Sequence, residues 1–433
     1  MSDIQVGILA VVLLFTMMIL RTPVGVAMGI SGFLGITMIT GLDSAFSKLA
    51  LTPFIHSASY VLAVIPLFLF MGELAYVSGV TQEAYYTVHK WVGHLPGGLA
   101  MATIGGCAGF AAVCGSSAAT AVTMTSVSLP EMQARKYDNG LSLGSIAAGG
   151  TLGILIPPSA AFILYGIITE QSIGKLFLSG IIPGIILTAL FMIFIYIWAK
   201  RNPKLAPEGP QASWHDRLIS LKTTWAVIIL FLVVMGGIYL GIFTPTEAAG
   251  VGVFTAFVIA LLRGRITKES IVASLMNTLS ITGMIFVMII GAMLFNHMLV
   301  LSGLTNSLGD FVTGLPLPPE GILVAILLLY IVLGCLMDAF AMLLILVPIL
   351  FPVILALGFD PIWFGTVTVI MVEMGLITPP IGLNVFIIAG TARDVPMSSI
   401  YRGVIPFIIA IAICISILVA FPQIALFIPN LSK

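Results

Sequence analysis

Apolar residues run in long, nearly unbroken blocks along this chain, and polar positions are confined to short stretches between them. In the first half the blocks fall near residues 4–20, 22–40, 56–78, 140–167 and 177–198, all rich in Leu, Ile, Val and Met. A helix needs about 20 such residues to cross the hydrocarbon core of a bilayer. A sixth apolar segment, 98–131, has a small and polar middle and suits a helical hairpin that enters the membrane without crossing it. A transmembrane barrel would show weak alternation over strands of about ten residues. The pattern therefore predicts an all-α polytopic membrane protein. Two amphipathic stretches stand apart, Ala84, Val88, Trp91, Val92 and Leu95 in one and Leu304, Leu308, Phe311, Val312 and Leu315 in the other. Each predicts a short helix lying in the membrane interface.

The pattern occurs twice. An offset of 222 residues pairs Thr22-Pro23 with Thr244-Pro245, Pro96 with Pro318, Pro130 with Pro352, Asp138 with Asp360, Gly153 with Gly375 and Pro157-Pro158 with Pro379-Pro380. Of the eight prolines between Thr22 and Pro183, five have a proline 222 residues later, far more than chance supplies. The chain thus divides into a first repeat, 1–199, a polar linker, 200–222, carrying Pro203, Pro207 and Pro210, and a second repeat, 223–433.

Charge orients the two copies. Only 8% of residues are charged against 60% hydrophobic, and the 17 basic and 17 acidic side chains cancel. With the N-terminus outside, fourteen of the seventeen cations, from Arg21 and Lys90 to Arg393 and Arg402, fall on the cytoplasmic side. Lys48, Lys175 and Lys433 remain outside. An odd number of crossings per repeat, five plus one re-entrant hairpin, inserts the copies in opposite senses and leaves both termini periplasmic. No basic footprint for nucleic acid is present. The four cysteines make no metal spacing. Gly174-Lys175 is followed by Leu176, so it is no nucleotide loop, and the paired carboxylates or HExxH of an intramembrane enzyme are missing.

Candidate chemistry concentrates where helices break. The first hairpin turns at Gly115-Ser116-Ser117, and its counterpart centres on Asp338. Each is followed by a span interrupted by paired prolines, Gly153 to Ser159 and Gly375 to Ile381. In regular helices these prolines would free the carbonyls of Gly153, Ile154, Gly375 and Leu376. Carbonyl and hydroxyl oxygens suit a hard cation such as sodium, and half-helix N-termini suit an anion. Turns at membrane depth persist only against protein or a wet cavity, so the hairpins imply a cavity at the midplane. Asp338 is too costly to face lipid there, and Asn384, one turn past Pro380, points back toward the same cavity. Glu373 is weighed equally as a site residue and as a structural hydrogen-bond partner. Glu73, Asn296 and His297 read as inter-helix hydrogen-bonding groups.

The segments GTLGILIPPS (150–159), GLITPPIGLN (375–384), GSSAAT (115–120) and GCLMDAF (334–340) resemble the large membrane subunit of tripartite ATP-independent periplasmic (TRAP) transporters. The resemblance covers essentially the whole chain. It implies a sodium-coupled importer of small organic anions such as C4-dicarboxylates, keto acids or sialic acid, in the bacterial inner membrane. It also implies an elevator mechanism, with residues 98–198 and 321–421 as transport parts and 1–97 and 223–320 as scaffold. Two partners follow from it, a small four-helix membrane subunit, encoded separately, and a periplasmic substrate-binding protein. Carried over, one sodium ion would lie among Gly115, Ser116, Ser117, Gly153, Ile156 and Pro158. A second would lie among Gly334, Asp338, Gly375, Thr378 and Ile381. Substrate would sit near Ser117, Ser159, Asp338 and Asn384. Ser116 corresponds to Asp338 and Ser159 to Ile381, so the resemblance implies two sites of unequal affinity.

Overall fold

The computed structural model describes residues 1–392 and 395–431. Arg393 and Lys433, counted above as a cytoplasmic and a periplasmic cation, lie outside the described residues. The first half contains α1 (Asp3–Ile19), α2 (Val24–Thr40), α3 (Leu42–Ser57), α4 (Val64–Val77), α5 (Val80–Val92), α6 (Gly98–Cys114), α7 (Ser117–Ala134), α8 (Asn139–Leu155), α9 (Ala160–Thr169) and α10 (Ile173–Arg201). Then follow α11 (Trp214–Thr223), α12 (Trp225–Phe231), a π-helical turn (Leu232–Gly236), α13 (Gly237–Tyr239), α14 (Pro245–Leu262), α15 (Lys268–Ser302) and α16 (Leu304–Thr313). The chain ends with α17 (Pro319–Gly334), α18 (Ala339–Ala356), α19 (Pro361–Ile377), α20 (Leu383–Thr391), α21 (Met397–Ala420) and α22 (Gln423–Leu431).

Helix order repeats between the halves. α7 and α18 each hold 18 residues, and α8 and α19 each hold 17. Local chemistry starts these helices at equivalent places. Ser116 accepts from the Ala119 N–H at 3.3 Å, and Asp138 from Leu141 at 3.0 Å. Asp338 accepts from Phe340 and Ala341 at 3.0 and 3.1 Å, and Asp360 from Ile362 and Trp363 at 2.8 and 2.9 Å. Such caps satisfy N–H groups that a helix leaves without partners, at about 0.5–2 kcal/mol each.

α8 and α19 form the centre of the molecule. Every residue of α8 after Asn139 and of α19 after Pro361 is buried, and the two helices pack together. The hairpin α6–α7 covers α8, and α17–α18 covers α19. Around this core α2 lies along α15 and α4 along α14. The α2–α15 contact is made backbone to backbone, since a Cβ added at Gly291 would fall 1.9 Å from the Gly25 carbonyl oxygen. Small residues permit this approach between helices that have only packing and hydrogen bonds to hold them in lipid.

Among the described residues five helices are long and apolar enough to cross a membrane, or up to eight if each bent pair counts as one span. The long α15, 35 residues, would run about 52 Å, more than the hydrocarbon thickness, and so tilts or extends beyond it. Two helices depart from the sequence expectation. α3 occupies a stretch left outside the expected spans, because Asp43, Ser44, Ser47, Lys48 and His56 interrupt its apolar face, and it bends 58° into the following helix. α11 forms at the end of the polar linker, capped by Ser213.

Candidate functional site

Each hairpin tip is seated on the broken span that follows it. In the first half Gly115 ends α6 in the left-handed region (φ 63°), which lets the chain reverse at Ser116. A Cβ at Gly115 would lie 2.7 Å from the Pro158 carbonyl oxygen, and one at Gly153 would lie 2.6 Å from the Ser116 oxygen and 2.8 Å from Ser117 Cα. In the second half Gly334 and Gly375 meet in the same way, a Cβ on Gly375 falling 2.6 Å from Gly334 Cα. The Cys335 thiol donates to the Pro379 carbonyl at 3.2 Å. Pro157-Pro158 and Pro379-Pro380 are both cis.

The two breaks differ in closure. Pro157, Pro158 and Ser159 are buried, and the Ser159 hydroxyl is engaged twice, donating to the Ile154 carbonyl and accepting from the Phe162 N–H. The second break opens outward. Pro379, Pro380 and Ile381 are exposed, Ile381 at 39%, and α20 starts at Gly382 with no side-chain cap. The Tyr401 hydroxyl lies 2.7 Å from the carbonyl oxygens of both Pro380 and Ile381. Two of the four carbonyls expected to be free are engaged, because the helices break rather than run through. Ile154 receives Ser159, and Gly375 receives the Thr378 N–H at 3.1 Å. Thr378 itself donates to Met374 at 2.6 Å.

The structure thus groups Gly115, Ser116, Ser117, Gly153 and Pro158 around the first tip, and Gly334 and Gly375 around the second, with Asp338 starting the returning helix. Among the described residues no hydrogen bond joins Asp338 to Ser117, Ser159 or Asn384. The halves meet instead along packed helices such as α8 and α19, with the Ser179 and Thr366 hydroxyls 2.7 Å apart and the Tyr165 hydroxyl donating to the Pro361 carbonyl at 2.8 Å. Asn384 lies on α20, which packs against α7 and α8. Glu373 and Asn384 are each 1% exposed, and among the described residues neither the two carboxyl oxygens nor the amide atoms have a hydrogen-bond partner. The signal for Glu373 was present in the sequence, a carboxylate two residues before Gly375, but nothing there separated an isolated carboxylate from a paired one.

Several cavities lie between the hairpins and the surrounding helices. One of about 350 Å³ is lined by Glu73, Cys114, Ser116, Thr123, Asn277 and Thr278, with the Asn277 amide 3.5 Å from Glu73. Another of about 220 Å³ is lined by Asn296, Thr305 and Asn306 together with Pro348 and Pro352 of α18. The first is in the size range of small-ligand pockets, about 300–1,000 Å³. Asn277 escaped the sequence reading because its partner Glu73 is 204 residues away.

Residues 11–424 match the family described as "Tripartite ATP-independent periplasmic transporter, DctM component". The chain belongs to this family. Among DctM-type relatives, it is 36% identical over 405 residues to the C4-dicarboxylate TRAP transporter large permease protein DctM of Pseudomonas aeruginosa, covering 93% of this chain and 94% of that one. It is 31% identical over 424 residues to the ectoine/5-hydroxyectoine TRAP transporter large permease UehC of Ruegeria pomeroyi, covering 97% of each. The sialic acid TRAP transporter large permease SiaM of Vibrio cholerae is 30% identical over 374 residues, covering 86% and 87%. The YdaH transporter of Alcanivorax borkumensis has a similar fold, with a TM-score of 0.64 at 15% identity, over 89% of this chain and 90% of that one. At that identity the likeness is one of fold. This DctM-family chain is accordingly a multi-pass, all-α membrane transporter component.

Proposed function

We propose that this DctM-family chain is the permease of a sodium-driven importer of small organic anions in the bacterial inner membrane. A periplasmic binding protein delivers the substrate, and a small four-helix membrane subunit completes the complex. The observation that carries the reading is the seating of both hairpin tips on both proline breaks, Gly115 on Pro158 and Gly334 on Gly375, in a chain that matches the family from residue 11 to 424. The donors at these junctions are backbone carbonyls with Ser116, Ser117, Thr378 and Asp338 oxygens, a hard-oxygen set that fits sodium and not a soft transition metal.

Each tip also presents a helix N-terminus. The first N–H groups of α7 and α18 carry about half a positive charge, which suits a carboxylate beside a bound cation. Residues 98–198 and 321–421 then form the body that carries substrate across, sliding against the scaffold 1–97 and 223–320. Opposite insertion of the two repeats lets the same junctions be exposed alternately to the periplasm and the cytoplasm. The organic anion is a small carboxylate. Large permeases named for C4-dicarboxylate, sialic acid and ectoine transport match this chain at 30–36% identity, which supports the class without choosing its member.

The test is uptake into proteoliposomes under a sodium gradient, with and without the small subunit and the binding protein. Uptake is expected only with all three components and sodium. Uptake by this chain alone would replace the tripartite reading with a self-sufficient symporter.

A further inference from the structure

The helix that forms at the end of the polar linker, α11, has an apolar face that the rest of the chain leaves uncovered. Its inner side is fixed to α5, where the Thr87 hydroxyl donates to the Ser220 carbonyl at 2.8 Å and lies 2.6 Å from the Thr224 hydroxyl. From there the chain bends by 46° into the apolar helical run Trp225–Tyr239, so α11 does not continue that run's direction. Its outer side carries Trp214, Leu218, Leu221 and Trp225, spaced as one helical stripe and all exposed, Trp214 at 69%. The stripe continues onto Ile228, Ile229 and Leu232, also exposed, so the surface that the apolar run turns to hydrocarbon extends onto α11 without a break.

Cations border this stripe. At about 100° per residue Arg217 and Lys222 fall on opposite sides of it, each about 70° from its axis. Among the described residues, the ion pairs are His89–Glu131 and Arg263–Glu83, so neither Arg217 nor Lys222 is matched by a carboxylate. Asp216, the single acid of α11, is turned to the other side and accepts from the Ser213 hydroxyl at 2.8 Å. The Arg217 guanidinium stands 5.0 Å over the Trp214 ring, which in turn meets Trp91 edge-on at 6.4 Å. Lys90 over Tyr86, Lys200 over Tyr196 and Arg263 over Trp225 repeat the pairing of cation and aromatic ring, and all four cations belong to the side that the charge count makes cytoplasmic. Tryptophan and basic residues around an apolar stripe are what a helix lying in the membrane interface presents to lipid.

We propose that α11 is a binding site for anionic phospholipid of the cytoplasmic leaflet. Arg217 and Lys222 take the phosphates from either side, and the stripe from Trp214 to Trp225 lies among the acyl chains beneath them. The unmatched positive charge selects anionic over zwitterionic headgroups. α5, on which α11 is seated, meets the first hairpin through the Tyr85 hydroxyl, which donates to Glu131 at 2.9 Å, so lipid held at α11 steadies the element that touches that hairpin. The charge count supplies only the side of the membrane, and the headgroup site does not depend on it.

The test titrates the full chain, purified in detergent, with dioleoyl phosphatidylglycerol or dioleoyl phosphatidylcholine and counts bound lipid by native mass spectrometry. Wild type is expected to retain phosphatidylglycerol in preference to phosphatidylcholine. Each cation beside an anionic headgroup contributes about a factor of five, so Arg217→Gln combined with Lys222→Gln should lose about 25-fold in affinity for phosphatidylglycerol and keep its binding of phosphatidylcholine. Equal retention of the two lipids by wild type, or an unchanged preference in the double variant, would overturn the site. Should the double variant fail to insert, tryptophan quenching decides. Bromine-labelled phosphatidylglycerol should quench wild type more than bromine-labelled phosphatidylcholine does, with the difference gone in Trp214→Phe, and equal quenching would count against the site. Loss of that quenching when the small membrane subunit is added would give the stripe to a protein and reject the lipid. None of these readouts uses sodium or transport, so their failure leaves the proposed function standing.

Discussion

Asp338 holds the start of α18 through two backbone N–H groups and also supplies the formal charge at the second tip. Two substitutions separate these roles. Asn caps a helix about as well as Asp, whereas Ala forfeits the cap at about 0.5–2 kcal/mol. Both Asp338→Asn and Asp338→Ala are expected to lose sodium-dependent uptake, and only the Ala variant should also unfold at lower temperature. Full uptake by Asp338→Asn would reduce Asp338 to a cap. The glycines at the junctions are constrained by backbone, not by side chains that could swing away. Gly153→Ala and Gly375→Ala would each force a Cβ to within 2.6 Å of backbone atoms. Overpacking of this kind costs about 1–3 kcal/mol, and uptake should fall sharply. Gly250→Ala, with open space around it, serves as the control that keeps wild-type uptake. Asp138 and Asp360, like Ser116 and Asp338, were legible in the sequence as positions paired by the 222-residue offset, and the structure adds that all four cap helices. The isolation of Glu373 was not, because it depends on which side chains fail to reach it.

At the scale of elements, the clearest non-hydrophobic tie is the one that holds α5 against the end of α14. Arg263 donates to Glu83 at 2.7 Å and to the Ser78 carbonyl at 3.0 Å, in a partly buried setting. Hydrogen bonds to charged groups contribute about 1.5–3 kcal/mol each when partly shielded from water. Arg263→Ala and Glu83→Ala should each lower the thermal unfolding midpoint, and the double variant should be little worse than either, as expected for a coupled pair. Additive losses would show that the two act separately. The amphipathic face of α5 was readable from the spacing of Ala84, Val88, Trp91 and Val92, since helical periodicity is a local property. α3 was not readable, because its polar positions broke the apolar run that marks a span. The proline breaks of α8–α9 and α19–α20 were fully legible, since a proline denies the helix a hydrogen bond wherever it is placed.

For the whole molecule, the expected orientation makes a direct statement about access. The native cysteines are all buried, so single cysteines introduced on the surface report cleanly. Pro207→Cys should react with a membrane-impermeant thiol reagent only from the cytoplasmic side, and Asp310→Cys only from the periplasmic side. The reverse labelling would overturn the assigned topology and with it the periplasmic placement of both termini.

The sequence by itself determined that this chain is an all-α membrane protein and where its helices must break. Those properties follow from hydrophobic run length and proline, each of which acts on its near neighbours in the chain. The tertiary structure alone decided that the first break is sealed and the second open, and that Asn277 finds Glu73. Whether a polar atom finds a partner is a question about neighbours in space, and for Asn277 that partner lies 204 residues away along the chain.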